Sequence, residues 1–369
     1  MRKSFVATLV ALLALASTQF SQAIYGGDLA LGDTRVSGMI SKQQNTRDTS
    51  CTLSLLTPQI AIGAAHCIDP PGTPHNGTPF ESTFEPFQPT WISVPGVDVK
   101  VDNVNSRVKI IKGYITKGYN NVFPCTPTAC TQVDDIVFWV LEKPLVTNYI
   151  MNIATEREVN TLKNSGGVIT HIGYGFQKYK DEPQPADGKP YKIEGIATTF
   201  EQKQFSGVNK KIVITQTPME KSLCPGDSGS PVYSKFGGEE KMFAIQFAGY
   251  DGGGYCGTKP WPVGKFPKVQ NTLIYPYINL LRQEPLAATI VANYDAQIAA
   301  ELKAEVVAAA AAAKPTPTPM PTPTVTAIPS PSPTKAVVKA TTITCIKGKT
   351  TKKVTAVNPK CPSGYKKKA

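Results

Sequence analysis

Between Gly38 and about Pro285 the apolar residues come in short bursts separated by Gly, Pro and Asn. The bursts fall at 53–56, 60–62, 91–94, 99–101, 108–111, 136–141, 168–170, 212–214 and 243–245. Brief β-branched and aromatic segments with turn residues between them predict an all-β fold, a barrel or sandwich. The stretch 70–89 has no such period and reads as a surface loop. The pattern changes at 275–283, which looks helical and closes the domain. From 287 to 314 Ile290, Tyr294, Ile298, Leu302 and Val306 recur every four residues before a run of alanines, which predicts one helix with an apolar stripe. Its docking onto the β domain and its extension as a stalk are both open. Pro315 stops it. Residues 315–334 are rich in Pro and Thr, an extended linker that spans on the order of 60 Å at about 3.1 Å per residue.

The N-terminus has a different pattern. Arg2 and Lys3 precede an apolar run from Phe5 to Ala16 that is too short to cross a bilayer, and small polar residues follow. This is the form of a secretory signal peptide over 1–23. Small-x-small cleavage sites lie after Ala16 and after Ala23. The second follows a normal polar spacer and is preferred, which makes Ile24-Tyr25-Gly26-Gly27 the new terminus.

Charge and cysteines refine this. Of the net charge of +12, ten lysines lie in 335–369 without any acid, which leaves about +2 for the rest. The basic character belongs to the tail, so nucleic acid is not an expected partner of the main domain. The tail reads either as a solvated segment or as an electrostatic attachment to an anionic cell-envelope polymer. Its 35 residues are too few for a real core, and a single staple is the most that would hold them. The eight cysteines group as near neighbours, 51 with 67, 125 with 130, 224 with 256 and 345 with 361. With no CxxC and three histidines, disulfides in an oxidising compartment are expected, with no metal and no cofactor.

The stretch Cys224-Pro225-Gly226-Asp227-Ser228-Gly229-Ser230-Pro231 has neither helical nor strand period. It places a hydroxyl between glycines and beside a carboxylate. Two distant features suit it. In Ala64-Ala65-His66-Cys67 a disulfide to Cys51 would fix the backbone beside an imidazole, as a general base requires. In Asp134-Asp135-Ile136-Val137-Phe138 an acid stands at the mouth of an apolar strand, where its charge needs a partner. Asp134 reads as a solvated turn residue and Asp135 as the functional acid.

With the Ile24 terminus, these pieces in this order resemble the trypsin/chymotrypsin-like serine endopeptidases. That family carries Ile-Val-Gly-Gly, Thr-Ala-Ala-His-Cys, Asp-Ile-Ala-Leu and Gly-Asp-Ser-Gly-Gly-Pro. Gly173-Tyr174-Gly175 resembles the family's Gly-Trp-Gly. The resemblance covers 24–286. It implies two six-stranded antiparallel β-barrels with a boundary near 150, a C-terminal helix, and a site in the cleft between the barrels. It implies Ser228 as nucleophile, His66 as general base and acid, and Asp135 as the partner that orients the imidazole. It also implies an oxyanion hole from the N–H groups of Gly226 and Ser228, and an ammonium of Ile24 set against Asp227. Cys51–Cys67 and Cys224–Cys256 match family disulfides, and Cys125–Cys130 is an extra.

The departures are Ser230 for a glycine, Gly63 for a threonine, and Gln246 or Phe247 where a serine supports the acid. Ser222 stands at the implied pocket floor, with Gly264 and either Ala248 or Gly249 at the walls. A neutral floor points away from Arg/Lys preference. The expected protein is a secreted, monomeric endopeptidase acting on protein or peptide substrates. The competing expectation is an inactive protease-like adhesion or binding protein held at the surface by its tail.

Overall fold

The computed structural model describes residues 24–67, 83–84, 88–116, 119, 134–165, 167–176, 186–198, 212–218, 221–250, 268–312, 341–347, 350–356 and 358–367. After a short strand β1 (Asp28–Leu29), the first sheet is built from β2 (Ser37–Ser41), β3 (Cys51–Leu55), β4 (Ile60–Gly63), β5 (Thr83–Phe84), β6 (Thr90–Ile92), β7 (Val108–Ile115) and β8 (Val137–Leu141). Its order is β5-β7-β6-β2-β3-β4-β8, and β7 also pairs with β8. Six strands thereby close into a barrel, with β5 added at the edge.

The helix α1 (Glu156–Ser165) leads to β9 (Gly167–Gly173), β10 (Tyr191–Thr198), β11 (Ile212–Gln216), β12 (Pro231–Phe236), β13 (Glu239–Tyr250) and β14 (Lys268–Leu273). These are ordered β1-β10-β9-β12-β13-β14-β11, all antiparallel, and among the described residues β10 and β11 do not pair. The second sheet is thus a half-barrel. The fold is the all-β two-barrel kind.

β8 reads as an unbroken apolar run because both of its faces are covered. Val137, Trp139 and Leu141 pack with Met39, Leu53 and Leu55 inside the first barrel. Phe138 and Val140 face a second cluster that spans both barrels, with Ile62, Ile172, Tyr174, Tyr233 and Ile245. The half-barrel is filled by Val159, Leu162, Ile169, Ile193, Val213 and Phe243. The strand expected at 99–101 is not formed. Val99 is buried in a turn while Val101 is 77% exposed, and the Asp98 carbonyl accepts the N–H groups of Val101 and Asp102. In the loop region 70–89, Thr83–Phe84 pairs with β7, and 70–82 and 85–87 lie outside the described residues.

Residues Tyr275–Gln283 form a 3-10 helix, followed by a 3-10 turn at Pro285–Ala287 and α2 (Ala288–Ala312). The apolar stripe of α2 divides between the two behaviours left open by the sequence. Ile290, Val291 and Tyr294 are buried in the inter-barrel cluster. Thr155 donates to Glu301 at 2.5 Å, and Arg157 pairs with Glu305 at 2.7 Å. On the same stretch Leu302 is 57% and Val306 69% exposed. Among the described residues no helix is long and apolar enough to cross a membrane.

Residues 311–369 are a separate compact unit. Its described part is not the wholly solvated tail that was one reading of the sequence. Here β15 (Thr341–Lys347) pairs with both β16 (Thr350–Ala356) and β17 (Lys366–Lys367). The Cys345–Cys361 disulfide staples the sheet, and Cys345 is fully buried. Ile343 lies opposite Val354, and the Thr342 and Thr355 hydroxyls hydrogen-bond at 2.7 Å. A backbone ladder with one staple holds these strands where a core is lacking.

Candidate active site

β4 ends at Gly63, where a side chain would meet Leu53, and a 3-10 turn Ala65–Cys67 follows. The Cys51–Cys67 disulfide ties this turn to the start of β3. Asp135 immediately precedes β8 and is buried. Its Oδ1 accepts the backbone N–H of His66 at 3.0 Å, and its Oδ2 lies 2.6 Å from His66 Nδ1. A carboxylate only accepts, so Nδ1 carries the proton and Nε2 keeps a free lone pair. Burial of the imidazole disfavours its charged form. The opposing charge and hydrogen bond of Asp135 outweigh this and hold the pKa above 6.5.

Asp134 is not a solvated residue. It is 8% exposed and sits at φ +59°, a strained conformation for a residue with a side chain. Tyr277 donates to its Oδ1 at 2.5 Å and Thr116 to its Oδ2 at 3.1 Å. The first 3-10 helix after β14 therefore reaches across to the residue before Asp135. Thr272 donates to the Asp135 backbone carbonyl at 3.2 Å.

The Ser228 loop belongs to the half-barrel but touches β3. The N–H of Thr52 donates to the Ser228 carbonyl at 2.9 Å, and Cys67 Sγ lies 3.7 Å from the same oxygen. The three motifs separated in sequence therefore meet at one place. The Ser228 hydroxyl makes no hydrogen bond to His66 here, a looseness usual before substrate binds. Gly226 has φ +91°, and an added Cβ would stand 2.9 Å from the Gly175 Cα. Gly229 has φ +85°, with Thr52 O only 2.2 Å from an added Cβ. Both positions demand glycine for conformation and for space.

Asp227 is wholly buried. It accepts N–H groups from Gly175 and Cys224, each at 2.8 Å. Its carboxylate fills the space where side chains at Gly173 and Gly175 would lie, which accounts for the Gly-Tyr-Gly motif. Burial pushes the Asp227 pKa up to about 7 against the pull of those two N–H groups. Ile24 is also fully buried, at φ +41°, and joined to the residue before it. Tyr25 and Ser222 form an antiparallel bridge, in which Ser222 N–H donates to Tyr25 O at 3.1 Å.

Ser222 is buried beside the Cys224 turn, and Ala248 lies in β13 opposite Gln270. Gly264, Cys125, Cys130 and Cys256 lie outside the described residues, although Cys224 itself is disulfide-bonded. Gln246 is buried, and its backbone pairs with Gly229 and Ser230. Both Asp135 oxygens are engaged by His66.

The Trypsin family profile matches residues 24–260. The chain belongs to the trypsin family. Its domain is a serine endopeptidase, a hydrolase of peptide bonds in protein and peptide substrates. Residues 261–369 lie beyond the trypsin match. No curated protein matches the chain.

The sequence gives no notice of Thr52, Phe176 and Tyr277. Phe176 N–H donates to Pro225 O at 2.6 Å, and Thr52 donates to Gly226 O at 3.0 Å. Contacts between segments far apart in the chain bring Thr52 and Phe176 to the Ser228 loop and Tyr277 to Asp134. The position of Thr52 beside Cys51 was the single available signal.

Proposed function

We propose that this trypsin-family protein is a secreted endopeptidase that works through Ser228, His66 and Asp135. The observation that carries it is the two-oxygen grip of Asp135 on His66 beside the Ser228 turn. Ser228 Oγ attacks the scissile carbonyl carbon while His66 Nε2 takes the hydroxyl proton. The carbonyl oxygen becomes an oxyanion facing the N–H groups of Gly226 and Ser228. The C–N bond then breaks, and His66 gives its proton to the leaving amine. Water, deprotonated by His66, cleaves the acyl ester and restores Ser228. Each oxyanion donor contributes about 3–4 kcal/mol of barrier lowering. The test is hydrolysis of peptide substrates by wild type and Ser228→Ala. Equal rates reject the reading, and absence of hydrolysis in both proteins favours the binding-protein alternative.

The signal over 1–23 is removed after Ala23, and the Ile24 ammonium pairs with Asp227. Two facts support this. Asp227 is a buried carboxylate whose pKa reaches about 7. The φ of Ile24, +41°, is a serious outlier for a β-branched residue. That torsion is defined by the bond to residue 23, so hydrolysis of the bond abolishes the strain and creates the cation together. N-terminal sequencing of the exported protein gives Ile24 first. Ser17 first contradicts it.

Ser222, a neutral residue at the expected pocket floor, suits apolar or aromatic side chains. Best cleavage of an arginyl p-nitroanilide overturns this. The C-terminal unit holds the enzyme at an anionic envelope polymer. The ten lysines of residues 335–369 have no acidic side chain in that segment to pair with, and Lys352 and Lys367 flank Cys345 on the two neighbouring strands. Removal of 315–369 releases the enzyme from the surface with its proteolysis intact. Loss of proteolysis with the tail contradicts this division of labour.

A further inference from the structure

The loop that carries the oxyanion donors consists of successive peptide planes, and each is held by a named contact. The plane with the Gly226 N–H is fixed by Phe176 N–H donating to Pro225 O at 2.6 Å. In a trans peptide the N–H points opposite to the carbonyl, so this contact turns the Gly226 N–H away from Phe176. The plane with the Ser228 N–H is fixed by Ser230 N–H donating to Asp227 O at 2.8 Å.

The two remaining planes are both held from the other barrel by Thr52. Its N–H donates to Ser228 O at 2.9 Å and its Oγ1 donates to Gly226 O at 3.0 Å. The same Oγ1 accepts the N–H of Tyr174 at 2.9 Å. One hydroxyl thus serves as donor and acceptor at once, which is its usual capacity. It joins β3, the Gly226 peptide and the Gly173-Tyr174-Gly175 segment that receives Asp227. Thr52 is fully buried, so water does not replace these bonds when they are lost. Any residue other than proline supplies the N–H contact, whereas the hydroxyl contacts belong to the side chain.

All of this exists in a chain in which Ile24 is still bonded to residue 23. We propose that Thr52 is a positioning residue for the oxyanion site, and that its hydroxyl, by fixing the Gly226–Asp227 peptide between the two donor planes, keeps the loop in working orientation without the Ile24 ammonium. The inference rests on the oxyanion role given to Gly226 and Ser228 above. Two consequences follow. A chain that retains Ala23 keeps a measurable fraction of full activity. Substitution of the hydroxyl makes activity depend on the free Ile24 terminus.

The experiment compares wild type, Thr52→Val and Thr52→Ser, each with Ile24 free and with one residue retained before it. Active-site titration with a fluorophosphonate normalises for folded enzyme. A peptidyl boronic acid reports transition-state-like binding, and a product peptide reports simple binding. In Thr52→Val kcat falls about 10- to 100-fold, boronate affinity falls in step, and KM and product affinity hold. Thr52→Ser recovers most of the loss. The retained residue lowers activity further in Thr52→Val than in wild type.

Unchanged kcat and boronate affinity in Thr52→Val overturns the proposal. So does equal weakening of boronate and product peptide, or Thr52→Ser performing no better than Thr52→Val. If Thr52→Val does not fold, the Thr52→Ser comparison and the wild-type pair with and without the retained residue still decide. A wild type that never reacts with the fluorophosphonate rejects the enzyme mechanism itself, a separate failure.

Discussion

In the first barrel His66 and Asp135 meet through their side chains, next to strands buried on one or both faces and beside a disulfide. In the half-barrel Ser228 sits in a turn shaped by two left-handed glycines and by backbone hydrogen bonds. The difference follows from what each side must hold. A buried charge pair is tolerated only in fixed geometry with its hydrogen bonds made. On the mechanism proposed above, this loop offers backbone N–H groups to a transient oxyanion, which needs the close approach that glycine permits. The first side is therefore rigid by packing. The second is held by contacts that reach it from elsewhere, from Thr52 and Phe176 to its carbonyls and from Gly175 to the buried Asp227.

The largest break in this comparison is Asp135→Asn, which leaves the packing in place but removes the charge. A fall in kcat of about 10⁴-fold is expected. The acid limb of kcat/KM also moves. In wild type activity rises with pH as His66 loses its proton, at a midpoint above 6.5. Without the Asp135 charge, burial alone acts and the midpoint falls below 6.5. A pH–rate profile reads both.

The loop side responds through Asp227. In a chain extended before Ile24, the Asp227 pKa is about 7 when folded and 3.8 when unfolded. Between those values the folded state binds more protons, so stability falls as pH rises from 4 to 7, by about 4 kcal/mol. Thermal melts of the extended chain show this slope. It flattens in the extended Asp227→Asn variant, and in the Ile24-terminated enzyme, where the ammonium favours the carboxylate.

A smaller effect is expected from Gly226→Ala, because Cβ meets Gly175 at 2.9 Å and φ is +91°. Steady-state kinetics show kcat lower by about 100-fold with KM nearly unchanged. The smallest sharpens the first-barrel side. Tyr277→Phe removes one of the bonds that hold Asp134 in its strained turn and costs about 2 kcal/mol in denaturant unfolding. Its kcat loss is minor because Asp135 keeps both contacts to His66.

Much of the first-barrel half was legible in the sequence. Acid before an apolar run and histidine beside cysteine are contiguous signals, and β8 stands out because it is buried on both faces. The supports were hidden. Thr52 and Gly226 are far apart in sequence, as are Tyr277 and Asp134, and no local pattern joins them. Asp135 could be singled out from Asp134 in the sequence, but the burial of Asp134 could not, because its partners Tyr277 and Thr116 are distant in the chain. The helix α1 was missed because Val159 and Leu162 are its only buried apolar residues among charged and polar ones. The segment 99–101 misled in the opposite way, since its two valines alternate like a strand while Asp98 makes the turn. In the tail, lysine and threonine masked a strand pair that cross-strand register and one disulfide make possible.

The central claim is that Ser228 is a nucleophile activated by His66. The direct measurement is labelling with a fluorophosphonate, with the adduct located by peptide mass spectrometry, in wild type and His66→Ala. The account predicts one adduct, on Ser228, whose rate of formation rises with pH through the His66 midpoint and is lost in His66→Ala. Labelling at another residue, or at Ser228 with equal rate in both proteins, contradicts it.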